Sequence, residues 1–109
     1  MTITYDDFTK VDMRVGKIIA VDDFPDARIP AWRLTIDFGP LGIKKSSAQI
    51  SNYSKEQLMG RQVICVVNFP PKQVGKFMSE VLTLGAERDG IGYELLRPDP
   101  DAILGSKIY

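Results

Sequence analysis

Asn68, Phe69, Pro70, Pro71, Lys72, Phe77, Met78 and Ser79 fall within twelve consecutive residues, joined by Gln73-Val74-Gly75-Lys76. The chemistry these side chains support is holding rather than bond-making. Phe69, Phe77 and Met78 offer contact area, and the unbranched thioether of methionine repacks around different partners. Pro70 and Pro71 keep a rim stiff, so that little ordering is lost on binding. Lys72, together with Lys45 from an earlier segment, sets a polar edge. Ser47, Asn68 and Ser79 can hydrogen-bond a peptide backbone without regard to its side chains. A plug closing one end of a barrel would use the same rings, so the sequence leaves these two uses of Phe77 and Met78 open.

Bond-making chemistry has little to work with. The chain has no histidine, which removes the usual general base near neutral pH and the commonest metal ligand. Its one cysteine, Cys65, lies inside the apolar run Val63-Ile64-Cys65-Val66-Val67 and is expected to be a buried, inert thiol. With no His/Cys cluster, a metal site is not expected. There is no phosphate-binding lysine loop, and Gly90-Ile91-Gly92 only begins a Gly-x-Gly-x-x-Gly pattern, because Leu95 takes the third place. Asp22 and Asp23 are adjacent, which on a strand sends them to opposite faces. The expectation is a binding protein, not an enzyme, with no cofactor.

The elements that would position these residues are mostly strands. Trp32, Leu34, Ile36 and Phe38 alternate with Arg33, Thr35 and Asp37, giving one buried and one wet face. Met13 to Val21 is a longer strand in which Met13 and Val15 share one parity and Ile18 and Ala20 the other. The inward face is therefore expected to switch at a bulge or bend near Gly16. A third strand covers Ile43 to Ile50, entered through Gly39-Pro40-Leu41-Gly42. On it Ser46 and Ser47 alternate beside Lys45 and can line a polar groove. Ser54-Lys55-Glu56-Gln57 is a capping box, and the helix it starts is ended by Gly60. Strands four and five are expected at Arg61–Val67 and Glu80–Leu84, with Asn68–Ser79 as a long loop between them. Asp89-Gly90 then turns the chain into Ile91–Leu96. A short N-terminal helix, Tyr5 to Thr9, has Thr4 as its cap. Tyr53 and Tyr93 are expected half-buried with wet hydroxyls.

Three strands, a short helix, two strands and a tail make the order of an all-β, five-stranded Greek-key OB-fold barrel with a short helix between strands 3 and 4 and N- and C-terminal extensions. The 109 residues are expected to form one domain. No apolar run reaches the roughly 18 residues needed to span a bilayer, and the N-terminus has no signal-peptide pattern. A cytoplasmic protein without membrane insertion is expected, since a lone cysteine also suits a reducing compartment. The formal net charge is zero, but residues 38–79 hold six Lys/Arg against Glu56 alone. Residues 1–37 hold five Lys/Arg against seven Asp/Glu, and residues 80–109 three against six, so a basic middle is flanked by acidic ends.

Asp12-Met13-Arg14-Val15-Gly16-Lys17-Ile18 resembles the opening strand of the tRNA-binding OB domains, and Asn68-Phe69-Pro70-Pro71 with Gly75 and Ser79 resembles their loop between strands four and five. Phe24-Pro25-Asp26-Ala27-Arg28-Ile29-Pro30-Ala31, Ile36-Asp37-Phe38-Gly39, Ser46-Ser47-Ala48-Gln49-Ile50 and Val66–Pro71 are similar to one branch of that family, the CsaA-type secretion chaperones. Phe24-Pro25 stands where the tRNA-binding members carry His-Pro, and Ser47-Ala48 where they carry Ser-Gly. Both departures favour the chaperone branch. This resemblance implies a homodimer that binds exposed apolar segments of unfolded or pre-secretory polypeptides. The alternative is a tRNA or single-stranded RNA binder, supported by the barrel class and the basic middle. The candidate peptide site comprises Lys45, Ser47, Asn68, Phe69, Pro70, Pro71, Lys72, Phe77, Met78 and Ser79. The apolar residues Ile3, Tyr5 and Phe8 at one end and Leu96, Ile103, Leu104, Ile108 and Tyr109 at the other are surplus to a minimal barrel, which also favours pairing with a second copy.

Overall fold

Strand pairing follows the apolar alternation of the sequence. A computed structural model of the chain describes residues 1–25, 27–90 and 92–109, so the expectations placed on Asp26 and Ile91 lie outside the described residues. One antiparallel sheet is formed by β1 (Met13–Asp23), β2 (Trp32–Asp37), β3 (Ile43–Ala48), β4 (Gln62–Val66) and, past two short strands, β7 (Leu82–Thr83). Its order is β3-β2-β1-β4-β7. The end strands return to each other near Lys45, whose carbonyl accepts the amides of Glu80 (2.8 Å) and Val81 (3.3 Å). The sheet thus curls into the nearly closed five-stranded barrel expected of an OB-fold. Helix α1 (Tyr5–Thr9) precedes the barrel and α2 (Lys55–Leu58) sits between β3 and β4.

Leu34, Ile36 and Phe38, one parity of β2 and its continuation, are wholly buried, with Ile18, Ile50, Leu58, Val63, Cys65, Val81 and Leu95 around them. Full burial of each large side chain contributes about 1.5–3 kcal/mol. Trp32 closes that row at the rim, half-buried, its indole N–H donating to the Tyr53 carbonyl at 3.0 Å. Both capping boxes form. Ser54 Oγ accepts from the Gln57 amide and Gln57 Oε1 from the Ser54 amide, and Thr4 and Asp7 repeat the exchange in α1. The Thr4 amide, and behind it the Thr4 hydroxyl, hold the Asp7 carboxyl below its ordinary range. Gly60, at φ +79, ends α2 and donates to the Ile18 carbonyl at 2.9 Å, tying the helix to β1.

β1 serves two neighbours, with Met13–Lys17 paired to β4 and Lys17–Asp23 to β2. The register break lies between Ile18 and Ala20, however, and not at Gly16. Gly16 and Ile18 face inward, and after the bulge Val21 takes over opposite Leu34. Gly16 is a glycine for another reason: a Cβ there would stand 2.5 Å from Ile36 Cγ2 and 2.7 Å from Phe38 Cε1. Val15 is buried but outside the core cluster, in the half of β1 whose free edge the C-terminal tail covers. The tail pairs there through Val15 N–H to Ser106 O (3.0 Å), Gly105 N–H to Val15 O (2.8 Å) and Ile108 N–H to Met13 O (2.9 Å). The parity of Met13 and Val15 therefore marks a face outside the core cluster, on the half of β1 that the tail pairs with, a pairing that periodicity alone does not reveal.

The other departure is the long segment after β4. Residues 72–79 fold as a hairpin of β5 (Lys72–Val74) and β6 (Phe77–Ser79) turned by Gly75-Lys76, with Gly75 at φ +61. Strands of three residues are too short to show a period. A second hairpin, β8 (Gly85–Arg88) with β9 (Gly92–Leu95), includes a strand the sequence conceals, because Gly85-Ala86-Glu87-Arg88 is exposed throughout and has no apolar alternation. Tyr53 is half-buried as expected, and its hydroxyl accepts the Leu95 amide at 3.1 Å.

Two outcomes test this packing. Gly16→Ala should cost about 1–3 kcal/mol in urea denaturation, since Ile36 and Phe38 are buried and must shift. A loss within experimental error would mean that the core yields freely there. For Cys65, burial pushes the thiol from 9.0 up to about 12, against a weaker opposing hydrogen bond with Thr83. The folded state holds this proton more tightly, so the contribution is intact below pH 9.0 and is lost as pH rises toward about 12. At pH 8 an aromatic disulfide reagent should label Cys65 only at the rate of unfolding, and stoichiometric labelling of native protein would contradict the burial.

Candidate binding groove at the barrel seam

The barrel closes at β3 through an unusual mixture of groups. Lys45 gives its carbonyl to Glu80 and Val81, and its amide donates to Glu80 Oε1 at 3.0 Å. One residue on, the hydroxyl of Ser46 points inward, is fully buried, and reaches the Val81 carbonyl (3.1 Å) and Thr83 Oγ1 (2.9 Å). Thr83 Oγ1 in turn lies 3.5 Å from Cys65 Sγ. The Ser47 amide then donates to Ser79 Oγ at 3.3 Å. Side-chain hydroxyls thus replace the backbone ladder that would continue between β3 and β7.

Beyond Ser47 the two edges part, and a groove of about 850 Å³ opens. One wall is the end of β3 and its continuation, Ser47 to Ile50, and the other is Val81 to Gly85. Phe69, Pro70 and the β5–β6 hairpin form one end, with Tyr93 and Leu95 completing the lining. Ile50, Val81 and Leu95 are core residues that show at the base, whereas Phe69 (52% exposed) and Leu82 (48%) stand free as apolar walls. Lys72 is the one charged residue on the lining among the described residues. It has no carboxylate within 4 Å there.

The hairpin divides its side chains. Val74 and Phe77 are directly paired and share a face with Lys72 and Ser79, while Gln73 and Met78 point the other way. Phe77 meets Phe24 edge-on, with centroids 5.4 Å apart. Phe24 is itself buried and has the Arg33 guanidinium 5.9 Å from its ring centroid. Arg33 is fixed by its Nε–H donating to the Asp23 carbonyl at 2.7 Å. This stack pins the hairpin to the connection between β1 and β2, and with it the groove's end.

Of the residues selected from sequence, Ser47, Phe69, Pro70, Lys72 and Ser79 line the groove together. Lys45, Asn68, Pro71, Phe77 and Met78 do not line it. Lys45 is exposed one step up β3, and Phe77 is committed to Phe24. Asn68 is used as a clamp, its Nδ2 donating to the Lys10 carbonyl (2.7 Å) and its Oδ1 accepting the Asp12 amide (3.0 Å). Lining residues that sequence reasoning missed include Gln49, Leu82 and Tyr93. Leu82 reads as an ordinary strand residue, and only the unfinished β3–β7 seam leaves it uncovered. Among the described residues no group of three or more His, Cys, Asp or Glu gathers, and no helix is long and apolar enough to cross a membrane.

This architecture has close counterparts. A crystal structure of the CsaA chaperone protein from Picrophilus torridus is 53% identical, with a TM-score of 0.94, covering 99% of this chain and 100% of that one. The chaperone CsaA of Bacillus anthracis str. Ames is 45% identical, with a TM-score of 0.93 and complete coverage of both chains. The methionine–tRNA ligase of Nanoarchaeum equitans (strain Kin4-M) is 41% identical over 109 residues, which are 97% of this chain but 13% of the ligase. The chain thus spans a small part of the curated relatives it matches. Residues 13–107 fit the family model described as "Putative tRNA binding domain". From the first residue of β1 to the tail that pairs back onto it, the chain belongs to the tRNA-binding-domain family.

Proposed function

We propose that the chain is a non-catalytic binding protein, a chaperone that holds exposed apolar segments of unfolded or pre-secretory polypeptides in the seam groove. The observation that carries this reading is the pair of uncovered apolar walls, Phe69 and Leu82, facing a base of Ile50, Val81 and Leu95. A site of about 850 Å³ with one charged group is built to bury hydrocarbon, at about 25 cal/mol per Å² removed from water. The 53% and 45% identity to two CsaA chaperones over their whole length supports the chaperone role, which we place in export and in the cytoplasm.

A second reading is favoured by specific features. The family is one of tRNA-binding domains, and exposed Lys45, Lys72 and Lys76 have no ion pair among the described residues. Such a surface would bind tRNA or single-stranded RNA through phosphates, with affinity falling steeply as salt rises.

Replacing Phe69 and Leu82 together by Ser should lower suppression of client aggregation about tenfold or more. Both side chains are about half exposed, so stability should change by no more than about 1 kcal/mol. Undiminished suppression by the folded double variant would remove the groove as the site. Micromolar, structure-specific tRNA binding that survives physiological salt would put the RNA reading first.

The same reading includes a homodimer. Ile103 (78% exposed) and Tyr109 (95%) of the tail and Ile3 and Tyr5 at the N-terminus remain uncovered after the tail has paired with β1. Sedimentation equilibrium at micromolar concentration should return twice the chain mass, and a strict monomer would refute pairing.

A further inference from the structure

We infer, resting on the peptide-binding reading above, that the seam groove selects extended apolar segments that carry a carboxylate, with Lys72 as the specificity-determining residue. The charge pattern is one-sided: Lys72 is the lone ionised group on the lining, no Asp or Glu joins it among the described residues, and it has no ion-pair partner within 4 Å there. An unpaired ammonium beside low-dielectric walls attracts an anion and repels a cation. The occupant that complements it is therefore an acidic–apolar segment, and a segment with lysine or arginine at the same place is disfavoured.

The edge of β3 gives such a segment its alignment. Alternate residues of β3 turn their backbone groups to the seam, and Lys45 and Ser47 already use theirs on Glu80, Val81 and Ser79. Gln49 comes next in this alternation, on the groove wall, and neither its amide nor its carbonyl has a partner among the described residues. An extended peptide can pair there as an added strand, its alternate side chains meeting Phe69, Leu82 and Tyr93. Lys72 is paired with Ser79, whose hydroxyl holds the Ser47 amide. It thus stands one strand beyond Ser79, level with Ser47, which is two residues or roughly 7 Å along β3 from Gln49. The favoured carboxylate therefore lies about two residues from the peptide residue that pairs with Gln49.

The test is fluorescence anisotropy with three labelled peptides sharing one Val/Leu-rich core and differing at a single position, Glu, Gln or Lys. Wild type should bind them in the order Glu, Gln, Lys, with steps of about two- to fivefold, the range of an exposed ion pair. Lys72→Gln should level the series and Lys72→Glu should reverse it. N-methylation of the core amides should weaken all three peptides by a similar factor. Equal binding of the three peptides by wild type, or an unchanged order with Lys72→Glu, would overturn the selectivity and leave the groove reading standing. Failure of every peptide to bind would overturn the groove reading itself. Displacement of bound peptide by oligouridylate at physiological salt would reassign Lys72 to phosphate.

Discussion

The Ser46 hydroxyl, buried where β3 meets the returning chain, is the contact on which the rest of the barrel turns. A hydroxyl without a partner in that position would cost about 1–3 kcal/mol, so the chain must bring the Val81 carbonyl and Thr83 Oγ1 to it. Meeting that demand draws β7 against β3 at one point, and the Lys45 carbonyl secures it with two amides. The closure is local. Above it the core is sealed around Leu34, Ile36 and Phe38, and below it the edges diverge. The groove is therefore a consequence of how the barrel is fastened, and its polar hydroxyl lining and its apolar walls have a common origin.

The stiff frame extends outward from this point through a few long-range bonds. Gly60 and Arg61 bind the two sides of Ile18, so α2 places Leu58 inside the barrel. Asn68 clamps the end of β4 to Lys10 and Asp12, and the Phe24–Phe77 stack holds the β5–β6 hairpin against the connection between β1 and β2. Two of the residues selected from the sequence as ligand contacts, Asn68 and Phe77, are used in this way to position Phe69, Pro70 and Lys72. A side chain in a rich loop segment can matter by holding its neighbours in place.

The barrel was largely legible because its strands bury one face. Trp32 to Phe38 declares its register in seven residues, and the capping boxes at Thr4 and Ser54 mark both helices. The site was half legible. Phe69, Pro70 and Lys72 are conspicuous in a segment where small polar residues would suffice. Leu82 and Gln49 are not, since their exposure depends on two strands from distant parts of the chain failing to meet. The misplacement of the β1 bulge has a similar cause. The backbone of Val15 pairs with a tail some ninety residues later, through Ser106 and Gly105, and no local period records a neighbour so far away.

The two ligand classes proposed for this chain draw on different forces, and the surface keeps those forces partly apart. Phosphate binding scales with the number of lysines and arginines that reach the backbone, and it weakens as counterions accumulate. Burial of hydrocarbon in the groove is indifferent to moderate salt and is strengthened by salts excluded from protein surfaces. Lys45 lies on the open face of β3 and Lys76 at the hairpin tip, both outside the groove, while Lys72 belongs to the groove and to the basic surface alike. A polypeptide and an RNA would therefore share one cation and little else. Added salt should separate them, loosening whatever is held by Lys45 and Lys76 while leaving what rests on Phe69 and Leu82 in place.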